Sequence, residues 1–439
     1  MWGMPLLVLL LGGGLYFTLF CRFTPFRYFR HGVDVLMGKF DSDDDPGAIP
    51  HYQALSSALA STVGMGNISG VAIAIATGGP GALFWMWLSA IVGMATKFFT
   101  CSLAIMYRGK DDQGVIQGGP MYYIEQGLGK KFKFLSVLFS VAGLFGCLVL
   151  FQANQLTQII RDEVFHNQGL FAGDAYMGNF LVGIVMAIVV ASVIFGGIKR
   201  IGYVASRMVP FMVLIYMAAG IYVLLNNLPE IPGMFALIFR DAFTGEAVLG
   251  GSLGAIMIIG IKRAAFSNEA GIGTEAMAHG AAKTKEPIRE GLVAMIGPFI
   301  DTIVVCTVTG LVILVSGAWH TSGANGVTLT TMAFTAEMGE AGRYILMFCV
   351  LIFAISTMIG YSYYGSKCTS YLFGTKAKKY YRIFYTLTLI VAAMVSIDMA
   401  VNFVDGMYAI MAIPTMTATI LLSPRVMKEA RRYFATLKS

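Results

Sequence analysis

Charge is scarce in this chain. Only 13% of its 439 residues are Asp, Glu, Lys or Arg, about half the share usual in a soluble protein. That deficit argues against both a soluble globular domain and a disordered one, since each keeps more charge in water. Cysteine is thin as well. The six are scattered singly, with no CxxC pair or Cys/His cluster, so neither a disulfide framework nor a zinc centre is indicated. They read as small packing residues. The five histidines fall in loops or at span ends, and no HExxH or GxSxG occurs. A membrane-embedded enzyme would need such a nucleophile, base or ligand set. No Walker-type phosphate loop is present, which excludes a primary ATP-driven pump within this chain. The run "GMGNISG" has GxGxxxG spacing and no strand before it, unlike a dinucleotide loop.

What the chain has is oil. Hydrophobic residues make up 57% of it, and the mean hydropathy is +0.72. Apolar stretches of a length that crosses about 30 Å of hydrocarbon recur from end to end. The pattern predicts an all-α polytopic membrane protein. The first stretch, Trp2–Cys21, lacks a basic leader and a small-residue cleavage site, so it reads as a span and not a signal peptide.

Eleven spans are expected, near 3–21, 52–77, 82–106, 134–160, 178–197, 204–226, 248–282, 288–316, 341–366, 383–398 and 403–423. The connections Arg22–His51, Tyr107–Phe134, Ile198–Arg207, His279–Arg289, Lys367–Arg382 and the tail hold nearly all the Lys and Arg. The other side has only Arg161, Arg240 and Arg343, while Lys97, Lys262 and Arg263 lie within spans. This asymmetry predicts an outside N-terminus and a cytoplasmic C-terminus. It also explains the net charge of +7 as an imprint of topology, with anionic lipid as its partner and no nucleic acid. Gly118–Gly129 is expected at the cytoplasmic surface, and Glu230–Gly245 and Asn325–Gly339 outside the bilayer, as loops or as caps over a vestibule. The tail 424–439 reads as a basic interfacial helix.

Two spans are interrupted where they should be most apolar. "ASTVGMGNISG", Ala60–Gly70, sits in the second and "IKRAAFSNEAGIGTEA", Ile261–Ala276, in the seventh. Each opens a set of five spans, and because five is odd the sets enter from opposite faces. The expected organisation is one transmembrane unit over 1–439: an accessory segment 1–51, a first repeat 52–226 and an inverted second repeat 248–423. Matched interruptions of this kind point to a midplane binding site. Backbone groups released from helical bonding cannot face lipid and persist only around a cavity. There, helix N-termini attract a carboxylate and free carbonyls a cation. The alternative is close packing through small residues. A channel would need a continuous polar lining, and no span repeats polar residues along one face.

Several blocks resemble the alanine or glycine:cation symporter family. They are "GGPGALFWMWLSAIVGMATK" (Gly78–Lys97), Ser61–Ala72, "GGPMYYIEQGLG", "FSNEAGIG" (Phe266–Gly273), "DTIVVCTVTGLV" (Asp301–Val312) and "STMIGYSYYGSK" (Ser356–Lys367). The resemblance spans nearly the whole chain. It implies a LeuT-like inverted repeat behind one extra helix, and sodium-coupled uptake of small neutral amino acids across the cytoplasmic membrane. One chain would suffice for transport, with Na⁺ as coupling ion and no organic cofactor.

The first break comprises Thr62, Val63, Gly64, Met65, Gly66 and Asn67, and "TVGMGN" resembles the "AVGLGN" of LeuT-type transporters. By that resemblance the amides near Met65 and Gly66 receive the substrate carboxylate, and the carbonyls of Ala60 and Val63 face sodium. Asn67 braces the break or adds an oxygen. Ser356 and Thr357, adjacent hydroxyls in an apolar span, resemble the side-chain half of that sodium site; the alternative is bonding back to their own helix. Gln152 is a mid-membrane amide that must find a partner, the substrate or another helix's backbone, with Asn154 and Gln155 beside it. Phe266 and Asn268 sit at the second break, and Tyr361 one turn beyond the hydroxyl pair. The family commonly has Trp at the Tyr361 position and often Thr at that of Met65, so alanine or glycine leads, with serine or a larger neutral amino acid open. Lys262, Arg263 and Glu269 are expected to form a gating or bracing ion-pair network, Lys97 to snorkel or pair, and Asp301, Asp398 and Asp405 to serve as structural or gate partners. No carboxylate neighbours the hydroxyl pair in sequence, which favours sodium over proton coupling.

Overall fold

The computed structural model describes residues 2–42, 44–166, 168–171, 174–244, 253–321 and 323–437, and these are overwhelmingly helical. A short antiparallel hairpin, Gly109–Lys110 with Ile116–Gln117, is the one sheet among the described residues. The start of the seventh expected span, 248–252, and the end of the tail, 438–439, lie outside the described residues.

Seven described helices are long and apolar enough to cross a bilayer: Ala82–Met106, Lys130–Phe165, Ala175–Ile194, Gly197–Asn226, Pro287–Val315, Gly326–Phe373 and Ile397–Thr436. An eighth crossing results if His51–Thr62 and Gly66–Gly78, bent by 51°, count as one. The other expected spans correspond to shorter elements, namely Met4–Phe20, Leu253–Asn268 with Glu275–His279, and Ala377–Ala392. Reaching eleven requires all three to cross as well.

Burial sorts helices of similar hydropathy. The apolar window of Ala82–Met106 is 83% buried, whereas those of Ala175–Ile194 and Gly197–Asn226 are 39% buried. The outward faces of the latter two carry exposed Val185, Ile188, Leu214 and Leu225, the surface a bilayer covers. Ala82–Met106 instead packs against Leu253–Asn268, Pro287–Ala294 and the N-terminal helix. Small residues bring the first broken helix onto Gly326–Phe373: a Cβ on Gly360 would sit 2.2 Å from Ser61 Oγ, an approach only glycine permits there.

The loops rich in Lys and Arg converge on one another. Arg108 donates to the carbonyls of Pro46, Gly280, Ala282 and Thr284; Thr375 donates to Asp112, Arg425 to Gly127 and Arg432 to Glu286. The acidic-to-neutral loops form a separate set, with Asn227 donating to Glu337, Thr328 to Asp162 and Arg343 paired to Glu163. The two groupings are those that the Lys/Arg count separates.

Several expectations are corrected. Pro120–Tyr123, inside the segment expected at the surface, is buried, because Gly118 and Gly119 pack it against Gly280 and Met277. The connections expected outside the bilayer are helices, Ile231–Thr244 and the first part of Gly326–Phe373, which kinks at Gly339 (φ 61°). Asp241 of the former accepts from Gly81 N–H at 2.7 Å. The tail is no separate element: Ile397–Thr436 runs on through Pro414 and Pro424, proline being tolerated where neighbouring helices satisfy the freed carbonyls. The fourth span is itself interrupted, between Gly146 and Leu150.

Candidate binding site between two broken helices

The first break is short and specific. The helix ends at Thr62, Val63 turns extended (ψ 99°), and a new helix begins at Gly66. Gly64 N–H donates to Asn67 Oδ1 at 2.8 Å and Asn67 N–H to Gly64 O at 3.1 Å. The carbonyls of Ala60 and Val63 thereby lose the donors that a continuous helix would give them. Met65 and Gly66 open the new helix, so their N–H groups are first-turn donors at its positive end. Asn67 therefore braces the break with its oxygen.

The second break lies at the C-terminal end of its expected range. Leu253–Asn268 is continuous helix, and the chain unwinds from Glu269 to Thr274 before Glu275–His279. Glu269, Gly271 and Gly273 all take positive φ; for glutamate that conformation is strained and survives only where surroundings impose it. The Asn268 side chain bridges the unwinding, accepting from Ala270 N–H at 3.0 Å and donating to Thr302 Oγ1 at 3.0 Å.

The two breaks touch. A Cβ on Gly66 would lie 3.2 Å from Ser267 Cα and 3.4 Å from the Phe266 ring. Asp301 ties them together: its carboxylate accepts from Asn67 Nδ2 at 2.8 Å, Ser267 Oγ at 2.8 Å and Thr302 Oγ1 at 2.7 Å. Sequence reasoning gave Asp301 only a generic structural or gating part; a fully buried carboxylate in an apolar run was the available signal. Ser267 was missed.

Thr357 faces the first break closely enough that a Cβ on Gly64 would meet its Oγ1 at 2.3 Å. Both hydroxyls of the pair donate to Phe353 O at 2.9 Å, and Ser356 Oγ lies 3.4 Å from Met212 Sδ, away from the break. Thr62 likewise donates back to Ala58 O. A hydroxyl that donates to its own helix keeps its lone pairs for a cation. Phe266 stacks edge-on to Phe151 with centroids 5.0 Å apart and lies near Tyr408. Gln152, 5% exposed, lies one residue beyond Phe151 and makes no side-chain hydrogen bond among the described residues. Asn154 and Gln155 are spoken for: Asn154 donates to Val395 O, and Gln155 accepts from Val327 N–H. Met65 is fully buried, and the whole group is closed to solvent.

The expected Lys262–Arg263–Glu269 network is corrected. Lys262 and Arg263 pair with Asp405, at 2.6 and 2.7 Å, and Trp2 Nε1 donates to the Asp405 carbonyl. Glu269, turned by its positive φ, instead accepts from Tyr361 and Thr274, and Tyr361 bonds Tyr408. Tyr361 thus lines the site's edge through its hydroxyl. Lys97 is 2% exposed, so it does not snorkel, and among the described residues its electrostatic neighbours include Glu269, Glu275 and Asp301.

The first break offers bare carbonyls and helix-start amides with the Thr357 hydroxyl against it, and Gln152 follows the Phe151 that packs on Phe266. No nucleophile–base pair accompanies them among the described residues of the site. Known proteins agree in kind. The profile of the sodium:alanine symporter family matches residues 1–439. The chain is 41% identical over 437 residues to the sodium/alanine symporter AgcS of Methanococcus maripaludis, covering 98% of this chain and 94% of that one. It is 35% identical over 437 residues to the probable sodium/glutamine symporter GlnT of Bacillus subtilis, covering 99% and 88%. The crystal structure of MhsT in complex with L-phenylalanine superposes with a TM-score of 0.62 over 86% of this chain and 89% of that one, at 14% identity. That likeness establishes a LeuT-like fold.

Proposed function

The chain belongs to the sodium:alanine symporter family, a family of transporters and not enzymes, and on that premise we propose that it imports a small neutral amino acid together with Na⁺ by alternating access. The observation that carries the reading is the first break, where Ala60 and Val63 carbonyls and Met65 and Gly66 amides are released within the seven residues Ala60–Gly66. Sodium takes the carbonyls of Ala60 and Val63 with the Thr357 hydroxyl, and Ser356 supports that turn of helix. The substrate carboxylate takes the Met65 and Gly66 amides at the helix start. Gln152 meets the substrate's polar end, while Phe266, Met65 and Tyr361 limit its side chain. Thr62, Gly64, Asn67 and Asn268 hold the two breaks in shape.

Alanine and glycine are the proposed substrates, with buried Met65 and the Phe266 ring, packed on Phe151, as the walls against a longer side chain. The repeats 52–226 and 248–423 are the two inverted halves that rock about this site. The basic loops face the cytoplasm, the N-terminus faces out, and the membrane is the cytoplasmic one. Labelled alanine uptake into proteoliposomes, with and without an inward sodium gradient, tests the proposal. Uptake should require the gradient; equal uptake without sodium would remove the coupling.

A further inference from the structure

At the basic face the two broken helices are fastened by a buried group that ion and substrate do not use. His51 begins the first broken helix and His279 ends the second. Both imidazoles donate from Nδ1 to the same carboxylate, Glu290, one to each oxygen. His51 is 1% exposed, and His279 and Glu290 are fully buried. His279 Nε2 is buried without a hydrogen-bond partner, an open position for a proton. Beside the cluster the backbone forms a strap: Ala48 N–H donates to Ala281 O at 2.8 Å and Lys283 N–H to Ile49 O at 2.7 Å.

We propose that His51, Glu290 and His279 form a proton-binding latch that holds the cytoplasmic side of the transport path shut. The proposal rests on the symport reading for its role in transport, but not for its chemistry. Protonating either ring places a full positive charge beside the Glu290 carboxylate that already accepts its N–H, turning that hydrogen bond into an imidazolium–carboxylate ion pair held by Coulomb attraction as well. A second proton shared over the same carboxylate adds to this. Opening inward must separate the ends of the two broken helices, so it must break these bonds. The charged or titratable groups facing the cluster are Asp41, 3.8 Å from His51 Nε2, Arg289 on the helix of Glu290, Arg108 and Cys101 of the third span's end, and Glu275 on the helix of His279. Among these side-chain types imidazole is the one that ordinarily changes charge between pH 6 and 8. Cytoplasmic acid therefore closes the latch, and alkali loosens it.

Hydrogen–deuterium exchange of the strap segments 46–49 and 281–284, corrected for the intrinsic pH dependence of amide exchange, tests this on the purified full chain without sodium or substrate. Corrected exchange should be at least threefold faster at pH 8 than at pH 6. The ratio should fall to one in the double variant His51→Gln, His279→Gln and in Glu290→Gln, each of which retains hydrogen-bonding groups. A flat wild-type profile, or an unchanged ratio in the double variant, overturns the latch. Because this readout needs neither gradient nor ligand, it decides the latch even if uptake proves sodium-independent. In proteoliposomes, initial uptake should rise with luminal pH in wild type and lose that rise in His51→Gln; an undiminished rise in the variant contradicts the proposal.

Discussion

The two buried carboxylate clusters beside the broken helices are built from different chemistry. In one, Asp405 takes an ammonium and a guanidinium, Lys262 and Arg263. In the other, Glu290 takes the two imidazoles of His51 and His279, the side-chain type on which the proposed latch depends. Glu290 joins elements of both broken helices, whereas Asp405 takes two adjacent residues of the second broken helix alone, Lys262 and Arg263. The lesson is about control. A guanidinium latch can be opened only by outcompeting it, whereas an imidazole latch can also be retuned by the compartment it faces.

Breaking the Asp405 cluster should have the largest effect. Asp405→Ala leaves the buried Arg263, 3% exposed, without its carboxylate, a loss of about 3–5 kcal/mol. Thermal unfolding of the purified protein should register it as a large drop in Tm, whereas Glu290→Gln, which keeps neutral hydrogen bonds, should cost less than half as much. Equal losses in the two clusters would erase the distinction. Asp301→Ala comes next, in the middle of the molecule. It strands the hydroxyls of Ser267 and Thr302, each costing about 1–3 kcal/mol when left unmet, while Asn67 Nδ2 keeps the Asp301 main-chain carbonyl, and it should abolish amino-acid binding along with stability. Retained binding would mean that the breaks hold without their tie.

A smaller effect is expected at Thr357→Ala. The fold should survive, since the lost bond is one to its own helix, while the sodium concentration for half-maximal uptake rises about tenfold, roughly 1.4 kcal/mol. An unchanged sodium requirement removes the hydroxyl from the ion site. Smallest of all is Lys262→Met. With its side chain 23% exposed and Arg263 still on Asp405, it should shift stability by less than about 1 kcal/mol. A loss as large as that of Asp405→Ala would show that Lys262, and not Arg263, carries the latch.

Much of this organisation could be read in the chain beforehand. The first break falls at Val63–Met65, inside the polar glycine-rich stretch, because three glycines and an asparagine in an oily span have few other uses. The loop partition was equally legible, since Lys and Arg cannot be drawn across lipid cheaply. The second break was read too broadly. Ser267 and Asn268 look like breakers, yet they are the last helical residues, and their side chains bind Asp301 and Thr302 across the interface. The partner of Arg263 was missed for a related reason: Glu269 is near in sequence, but its positive φ sends its side chain toward Tyr361. Asp405 lies more than 130 residues away, and no local rule pairs them. The interruption after Gly146 had no polar signal at all, only Cys147, Leu148 and Val149 held by tertiary packing.

Everything turns on one claim, that a single unwound segment serves ion and substrate together, so that each binds better in the other's presence. Equilibrium binding of labelled alanine to the purified protein, titrated at several fixed sodium concentrations, measures this directly. Alanine affinity should tighten at least tenfold between sodium-free and saturating sodium, and the gain should vanish in Thr357→Ala. An affinity indifferent to sodium would mean that the break at Val63–Met65 does not join the two sites.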